Sequence, residues 1–372
     1  MGKNVIIVGG GLAGLTAAIH LARSGIAVML IEKNEFPKHK VCGEYISNEV
    51  LPYFDFLGID VSSLDPVKIT TTSISTVNGK QISTRLPLGG FGVSRYALDY
   101  LLYKQAVAEG CKMLQGKVTD ISFTGDRFTV KTEVCDYQAG IVLGAFGKRA
   151  NIDQKLSRSF IATPAPWLAV KAHYMGDFPD ELVALHNFRG GYCGVSRIEN
   201  GAINVCYLAD FKSFKQFRDI DDYQKHVVSQ NPHLDKIFKD KPIFKPIAIS
   251  QVSFGEKLPV EKHILMVGDA AGLIHPLCGN GMAMAIHSAK IASEHVIDYF
   301  SGKIPSRKSL ESRYILDWNM NFRQRLRTGR WLAALMRNEK AADWAMRILA
   351  RFPKILPFII RQTHGKPLSQ TT

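Results

Sequence analysis

Gly9, Gly11 and Gly14 are spaced so that a chain can turn tightly around a phosphate. They follow the apolar run Val5-Ile6-Ile7-Val8, and a second run, Val28-Met29-Leu30-Ile31, ends at Glu32 and Lys33. The first glycine permits a sharp turn, the second lets backbone approach a pyrophosphate, and the third lets a helix pack close on a strand. Leu12 and Ala13 open that helix, whose first N–H groups present partial positive charge to a phosphate. The Glu32 carboxylate is placed to accept ribose hydroxyls. Strand, turn, helix, strand and acid follow in order within about 30 residues, which is the context a dinucleotide cradle needs.

A second strand-to-helix turn lies far downstream. His263-Ile264-Leu265-Met266-Val267 reads as a strand, Gly268-Asp269 as an acidic turn, and Pro276-Leu277-Cys278-Gly279-Asn280-Gly281-Met282 as a loop opening a helix from about Met282 to Tyr299. Two such turns suit a cofactor stretched across a sheet, with Asp269 on a sugar-like chain and the Gly279-Asn280-Gly281 turn aiming a helix N-terminus beyond it.

With these motifs in hand, the chain resembles the FAD-dependent oxidoreductases of the p-hydroxybenzoate hydroxylase superfamily, and within it the geranylgeranyl reductase family. Lys40-Val41-Cys42-Gly43-Glu44 resembles the segment that family places beside the flavin, and Ser94-Arg95-Tyr96 with Leu98, Asp99 and Leu102 resembles its arginine-led helix. The resemblance implies non-covalent FAD held by Gly9, Gly11, Leu12, Ala13, Gly14, Glu32, Lys33, Cys42, Gly43, Arg95, Gly268, Asp269, Pro276, Gly279, Asn280, Gly281 and Met282. It also makes Cys42, Glu44 and Cys278 candidate catalytic groups. A thiol beside the flavin could protonate a substrate carbon, and a partly buried Glu44 would have a raised pKa and could act as an acid. His275 is a weaker acid candidate, and His287 reads as structural.

Two segments depart from the pattern. Gly144-Ala145-Phe146-Gly147 carries Phe146 where the aromatic hydroxylases have an Asp that serves both FAD and the nicotinamide cofactor. The electron donor is therefore left open between NAD(P)H and a separate reductase or ferredoxin. Gly191-Tyr192-Cys193-Gly194-Val195-Ser196 keeps only Tyr192, a candidate substrate contact, of the reductase signature Tyr-x-Trp-x-Phe-Pro. The Trp-x-Trp-x-Ile-Pro motif of flavin halogenases is absent.

The expected architecture is α/β. A Rossmann-type FAD-binding domain (1–62, 92–152 and 256–300) interleaves with a mainly antiparallel-sheet substrate domain (63–91 and 153–255), and a basic amphipathic helical region (301–372) follows. Alternating residues around Asn78-Gly79 predict a hairpin, Arg95 to Gly110 a helix, and 211 to 232 a polar helical interlude. At 372 residues, 46% hydrophobic and 22% charged, the chain has the composition of a globular protein with more than one core. Six cysteines without C-x-x-C spacing argue against zinc or a disulfide framework and for a reducing cytoplasm. A strand starting near Met1 and no apolar run of about 20 residues argue against a leader or a membrane span.

Charge is uneven. From Lys303 onward 15 Lys and Arg face 4 Asp and Glu, so this region carries +11 of the chain's +14. Apolar stripes run through it, at Trp331, Leu332, Leu335 and Met336, at Trp344, Ile348 and Leu349, and at Ile355 to Ile360. Such a region suits either packing with a solvated basic face or adsorption to an anionic membrane from its cytoplasmic side. No nucleic-acid module accompanies the charge.

The function expected is FAD-dependent reduction of a C=C bond in a large apolar substrate: a lipid, an isoprenoid or a polyene or aromatic compound. The alternative is a monooxygenase hydroxylating an aromatic or polyketide-type substrate through a C4a-hydroperoxyflavin. A non-catalytic flavoprotein or lipid escort is a third reading. An electron-donor protein is an expected partner of either enzyme, and nucleic acid is not.

Overall fold

The computed structural model describes residues 3–162, 165–252, 254–337, 339–352 and 354–369. A six-stranded sheet carries the first core. Its strands are β1 (Asn4–Val8), β2 (Ala27–Glu32), β6 (Lys112–Gln115), β10 (Ile141–Gly144), β16 (Val260–Glu261) and β17 (Ile264–Met266), in the order β16-β17-β10-β1-β2-β6. All pairs are parallel except β16 with β17. The strands are almost wholly apolar because helices cover the sheet, which removes any reason for polar alternation. Helix α1 (Leu12–Arg23) makes the first crossover and packs on α8 (Gly281–Phe300) and α3 (Arg95–Ala108).

The second sheet has eight strands in the order β15-β11-β14-β13-β12-β4-β5-β3. They are β3 (Tyr45–Ser47), β4 (Val67–Ser75), β5 (Gln81–Gly92), β11 (Trp167–Tyr174), β12 (Leu182–Phe188), β13 (Gly191–Arg197), β14 (Ile203–Asp210) and β15 (Ile247–Val252). Only β12 with β4 is parallel. Thr76 closes the expected hairpin by accepting the Gly79 N–H, and Gly79 has φ +79°.

Strand β11 shows how this sheet is used. Leu168, Val170, Ala172 and Tyr174 face an apolar core with Tyr207 and Tyr223. Short helices α5 (Phe211–Phe214), α6 (Ile220–His226) and α7 (Pro232–Ile237) cover that face, which accounts for the polar helical interlude. The alternate residues Trp167, Ala169, Lys171 and His173 point to the opposite face, toward the first domain.

A third, three-stranded sheet, β7 (Val118–Thr124), β8 (Arg127–Thr132) and β9 (Asp136–Ala139), buries Phe128 and Val130 in the first core. Two further short helices, α2 (Leu51–Phe56) and α4 (Asn151–Lys155), complete this domain. The C-terminal region is helical: α9 (Arg307–Arg337), α10 (Glu339–Arg351) and α11 (Ile355–Thr363). Helix α9 belongs to the first core. Leu310, Tyr314, Trp318, Phe322 and Leu326 recur every fourth residue and are all buried. The Tyr314 hydroxyl donates to the Met266 carbonyl at 2.5 Å. No helix among the described residues is long and apolar enough to cross a membrane.

Candidate active site

The glycine turn fits a pyrophosphate. Gly9 has φ +112°, and a Cβ there would stand 2.4 Å from the Ala145 carbonyl oxygen. A Cβ on Gly14 would meet the Gly9 carbonyl oxygen at 2.0 Å, so helix and turn touch through backbone. At Gly11 the space is open, its nearest neighbour being the Arg95 guanidinium at 3.9 Å. Helix α1 begins at Leu12 and Ala13 with no side-chain cap and no acidic residue in its first turn. Its N–H groups are left for an anion. Glu32 is half-buried at the end of β2 and accepts the Gly10 N–H at 2.7 Å, so its carboxylate borders the cradle. Lys33 is exposed beyond it.

A charged cluster backs this turn. Arg95 grips Asp99 through two hydrogen bonds of 2.7 and 2.8 Å, and Lys40 reaches Asp99 at 2.8 Å and the Gly10 carbonyl at 3.0 Å. Burial opposes the charge on Asp99, but Arg95 and Lys40 hold its pKa below the ordinary carboxylate value. Cys42 is partly buried, its carbonyl takes a hydrogen bond from Asn204, and Gly43 beside it is exposed.

Glu44 is not the partly buried acid with a raised pKa that the sequence suggests. It is fully buried, and its two oxygens meet Lys171 Nζ at 2.5 Å and His173 Nε2 at 2.7 Å. Burial alone would raise its pKa, but the His173 hydrogen bond and the Lys171 charge bring it below the ordinary value. Glu44 Oε1 also accepts the Arg95 N–H at 2.6 Å. With φ +52°, Glu44 turns the chain into the left-handed region, and the ion pairs hold it there. It is a buried anionic anchor that joins the Cys42 segment to the second sheet. Lys171 and His173 carry no motif. Only their position on the inward row of β11 identifies them.

The second turn brings its residues to the other end of the cradle. Asp269 is half-buried and makes no ion pair among the described residues. A lysine not singled out in the sequence braces this turn: Lys257 Nζ donates to the carbonyls of Asp269 and Lys148, both at 2.7 Å. Burial lowers its pKa to about 8. Pro276 is exposed, Gly279 adopts φ +64°, and α8 starts at Gly281 and Met282 with no side-chain cap and no acidic residue in its first turn. Helix α3, by contrast, is capped by Ser94. The two long helices that bracket the cradle are thus the ones whose N-termini stay open to an anion.

Two expected roles change. The Asn280 side chain points away from the cradle: its amide donates to the Thr363 carbonyl at 2.9 Å and to Glu49 at 3.5 Å, tying the C-terminal region to the turn. Cys278 is buried, and a Cβ on Gly329 would lie 3.1 Å from its sulfur. Burial pushes the thiol up to about 12, so it is a packed apolar side chain and a poor proton donor.

The inward row of the second sheet forms a graded wall. At one end Trp167, Ala169, Tyr192, Leu208 and Val252 cluster with Leu273, against the partly buried Val41, Phe254 and Leu277. His275 sits among these rings, 4.5 Å from Phe254 and 5.6 Å from Tyr192, and burial lowers its pKa to about 4. Tyr192 is buried, and burial raises its phenol pKa well above the ordinary value. At the other end the wall is polar, with Lys171, His173, Asn204 and Ser196 under the Cys42–Glu44 segment. The geometry offers an anion-accepting cradle on one side and a buried apolar, ring-lined cluster on the other. Among the described residues no group of three or more His, Cys, Asp or Glu could hold a metal.

Residues 3–145 match the FAD binding domain family. The chain is 25% identical over 394 residues to digeranylgeranylglycerophospholipid reductase 2 of Methanothermobacter thermautotrophicus, covering 99% of this chain and 94% of that protein. It is 24% identical over 311 residues to menaquinone reductase of Mycobacterium tuberculosis, covering 78% and 76%. Among solved structures, the flavin-dependent brominase Bmp2 shares the fold with TM-score 0.79 at 19% identity, covering 96% of this chain and 92% of that one. Halogenase PltM, in complex with phloroglucinol and FAD, does so with TM-score 0.72 at 15% identity, covering 91% and 78%.

Proposed function

We propose that this chain, whose residues 3–145 match the FAD binding domain family, is an FAD-dependent oxidoreductase of the p-hydroxybenzoate hydroxylase superfamily that reduces a C=C bond in a large apolar substrate of the lipid or isoprenoid class. The observation that carries this reading is the buried apolar and aromatic cluster of Trp167, Tyr192, Leu208, Val252 and Leu273 on the inward row of the second sheet. The relatives named as reductases of a digeranylgeranyl lipid and of menaquinone also support it.

Bound FAD, once reduced, supplies the electron pair of the reaction. The protein's own groups do the rest. Leu12, Ala13 and the open start of α1 hold the pyrophosphate, Glu32 the ribose and Asp269 the ribityl chain. The uncapped N-terminus of α8 at Gly281 and Met282 stabilises negative charge that develops beside it. Cys42, on the segment beside the cradle, is the proton donor to the substrate carbon. Glu44, Lys171 and His173 fix the segment that carries Cys42.

Anaerobic incubation of dithionite-reduced protein with a polyprenyl alkene, followed by mass spectrometry, tests the reading. The expected product has gained two hydrogens without oxygen uptake. The aromatic rings of Trp167, Tyr192 and Phe254 also suit a flat aromatic substrate. Product formation that strictly consumes oxygen would select the monooxygenase reading instead.

The electron donor is NAD(P)H or a reductase or ferredoxin. The C-terminal region is read as adsorbing to an anionic membrane. Trp331, Trp344, Phe352 and Phe358 are each more than half exposed there, within a stretch of net charge +11.

A further inference from the structure

Away from the cradle, residues 360–369 fold back over β5, α8 and α9 and enclose a cavity of about 840 Å³. That size falls in the range of small-molecule sites. Among the described residues four cations line it, Lys290, Arg325, Arg361 and Lys366, and no carboxylate does. Glu294 neutralises Lys290 at 2.6 Å, and Glu49 neutralises Arg325 at 3.5 Å. Arg361 and Lys366 are exposed and make no ion pair among the described residues. The cavity therefore presents uncompensated positive charge.

Its remaining wall is largely apolar, with Leu88, Met320 and Ile360 among the lining residues. Met320 is 67% exposed, and Leu316, one turn earlier on α9, is 59% exposed, so an apolar stripe leads out of the cavity to the surface. Two imidazoles stand in the wall with unmet hydrogen-bonding capacity. His364 bonds the Ile360 carbonyl through Nδ1, leaving Nε2 without a partner, and His287 Nδ1 has none either.

We propose that this cavity is a second binding site, which takes the phosphate or carboxylate head of an amphipathic molecule between Arg361 and Lys366 and lays its chain along Met320 and Leu316. Free phosphate and a lipid head group share the required charge. The apolar stripe assigns the site to the lipid. The site shares no residue with the wall of Trp167 and Tyr192, and the proposal holds whichever redox reaction the protein performs.

Titration calorimetry on FAD-loaded protein tests it without turnover, using dihexanoyl phosphatidic acid below its micellar concentration and inorganic phosphate as probes. The short-chain lipid is expected to bind saturably and at least tenfold more tightly than inorganic phosphate. R361Q/K366Q should weaken lipid binding at least tenfold, and M320S should weaken lipid but not phosphate. The exposed positions leave the fold intact, and an unchanged flavin spectrum verifies this. Absence of saturable lipid binding, or equal lipid affinity in wild type and R361Q/K366Q, would overturn the site. Equal affinity for phosphate and lipid would overturn the lipid assignment.

Discussion

Lys171 Nζ lies 2.5 Å from Glu44 Oε1, with both side chains fully buried and His173 closing the pair on the second carboxylate oxygen. The interaction spans 127 residues and joins the loop beside the flavin cradle to the inward face of the second sheet. Removing one member of such a group leaves an uncompensated buried charge, which costs about 3–5 kcal/mol. E44Q is therefore expected to lower the denaturation midpoint strongly, and the double variant E44Q/K171M to recover most of the loss. Urea titration of the three proteins checks this. Equal stability of E44Q and wild type would show that the pair does not anchor the loop.

The cradle glycines should fail in different ways. A methyl group at Gly14 collides with backbone at 2.0 Å, so G14A should accumulate little folded protein. A methyl group at Gly11 meets nothing closer than 3.9 Å, so G11A should fold but hold FAD more weakly, because it intrudes only where the pyrophosphate lies. Flavin content and apoprotein melting temperature separate the two. D269A should also release FAD, and normal flavin content in that variant would remove the ribityl assignment.

The two thiols should separate as well. Cys42 lies on the segment beside the cradle, tied to the second sheet through Asn204, whereas Cys278 is packed beneath α9. C42A is expected to lower turnover on an alkene by 10²–10⁴-fold, the range for loss of a general acid. C278A should leave turnover within a few-fold and lower stability slightly. The reverse pattern would transfer the proton-donor role to Cys278.

Acid should destabilise the fold through its buried histidines. Burial lowers the pKa of His20 and His275 to about 4 and of His287 to about 3, against an ordinary 6.5. The folded state therefore binds fewer protons than the unfolded chain below pH 6.5, and stability falls as pH drops from there toward 4. Glu44 adds a second loss at lower pH. Its folded pKa is depressed below 4.5, so the stability it contributes is present above that value and disappears as pH falls through the folded pKa. Melting temperatures at pH 7.5, 6.5 and 5.5 should decline across the lower interval, and H287Q should flatten the decline.

Membrane adsorption is best tested by substitution. Deletion from Lys303 would also remove Leu310, Tyr314, Trp318 and Phe322 from the first core. W344E/F358E changes two side chains that are 63% and 61% exposed. It should abolish sedimentation with phosphatidylglycerol vesicles while leaving flavin content unchanged. Undiminished sedimentation would return these helices to a solvated basic face.

Much of the fold was legible because its signals are local. The Gly9-to-Gly14 turn, the acid at Glu32, the hairpin at Gly79 and the uncapped start of α8 each occupy a few consecutive residues, where backbone sterics and hydrogen-bond supply act directly. The uneven charge could be read by counting. By itself, the sequence determined a two-turn dinucleotide cradle, an interleaved second sheet and a basic helical end. Only the tertiary structure decided what Glu44 is. Its pKa depends on Lys171 and His173, which pair with it only because β11 turns alternate residues inward. The same holds for Lys257, which braces Asp269 and Lys148, and for Asn280, which the C-terminal region draws away from the cradle. Burial and long-range charge set these roles, and neither is a property of neighbouring residues in the chain.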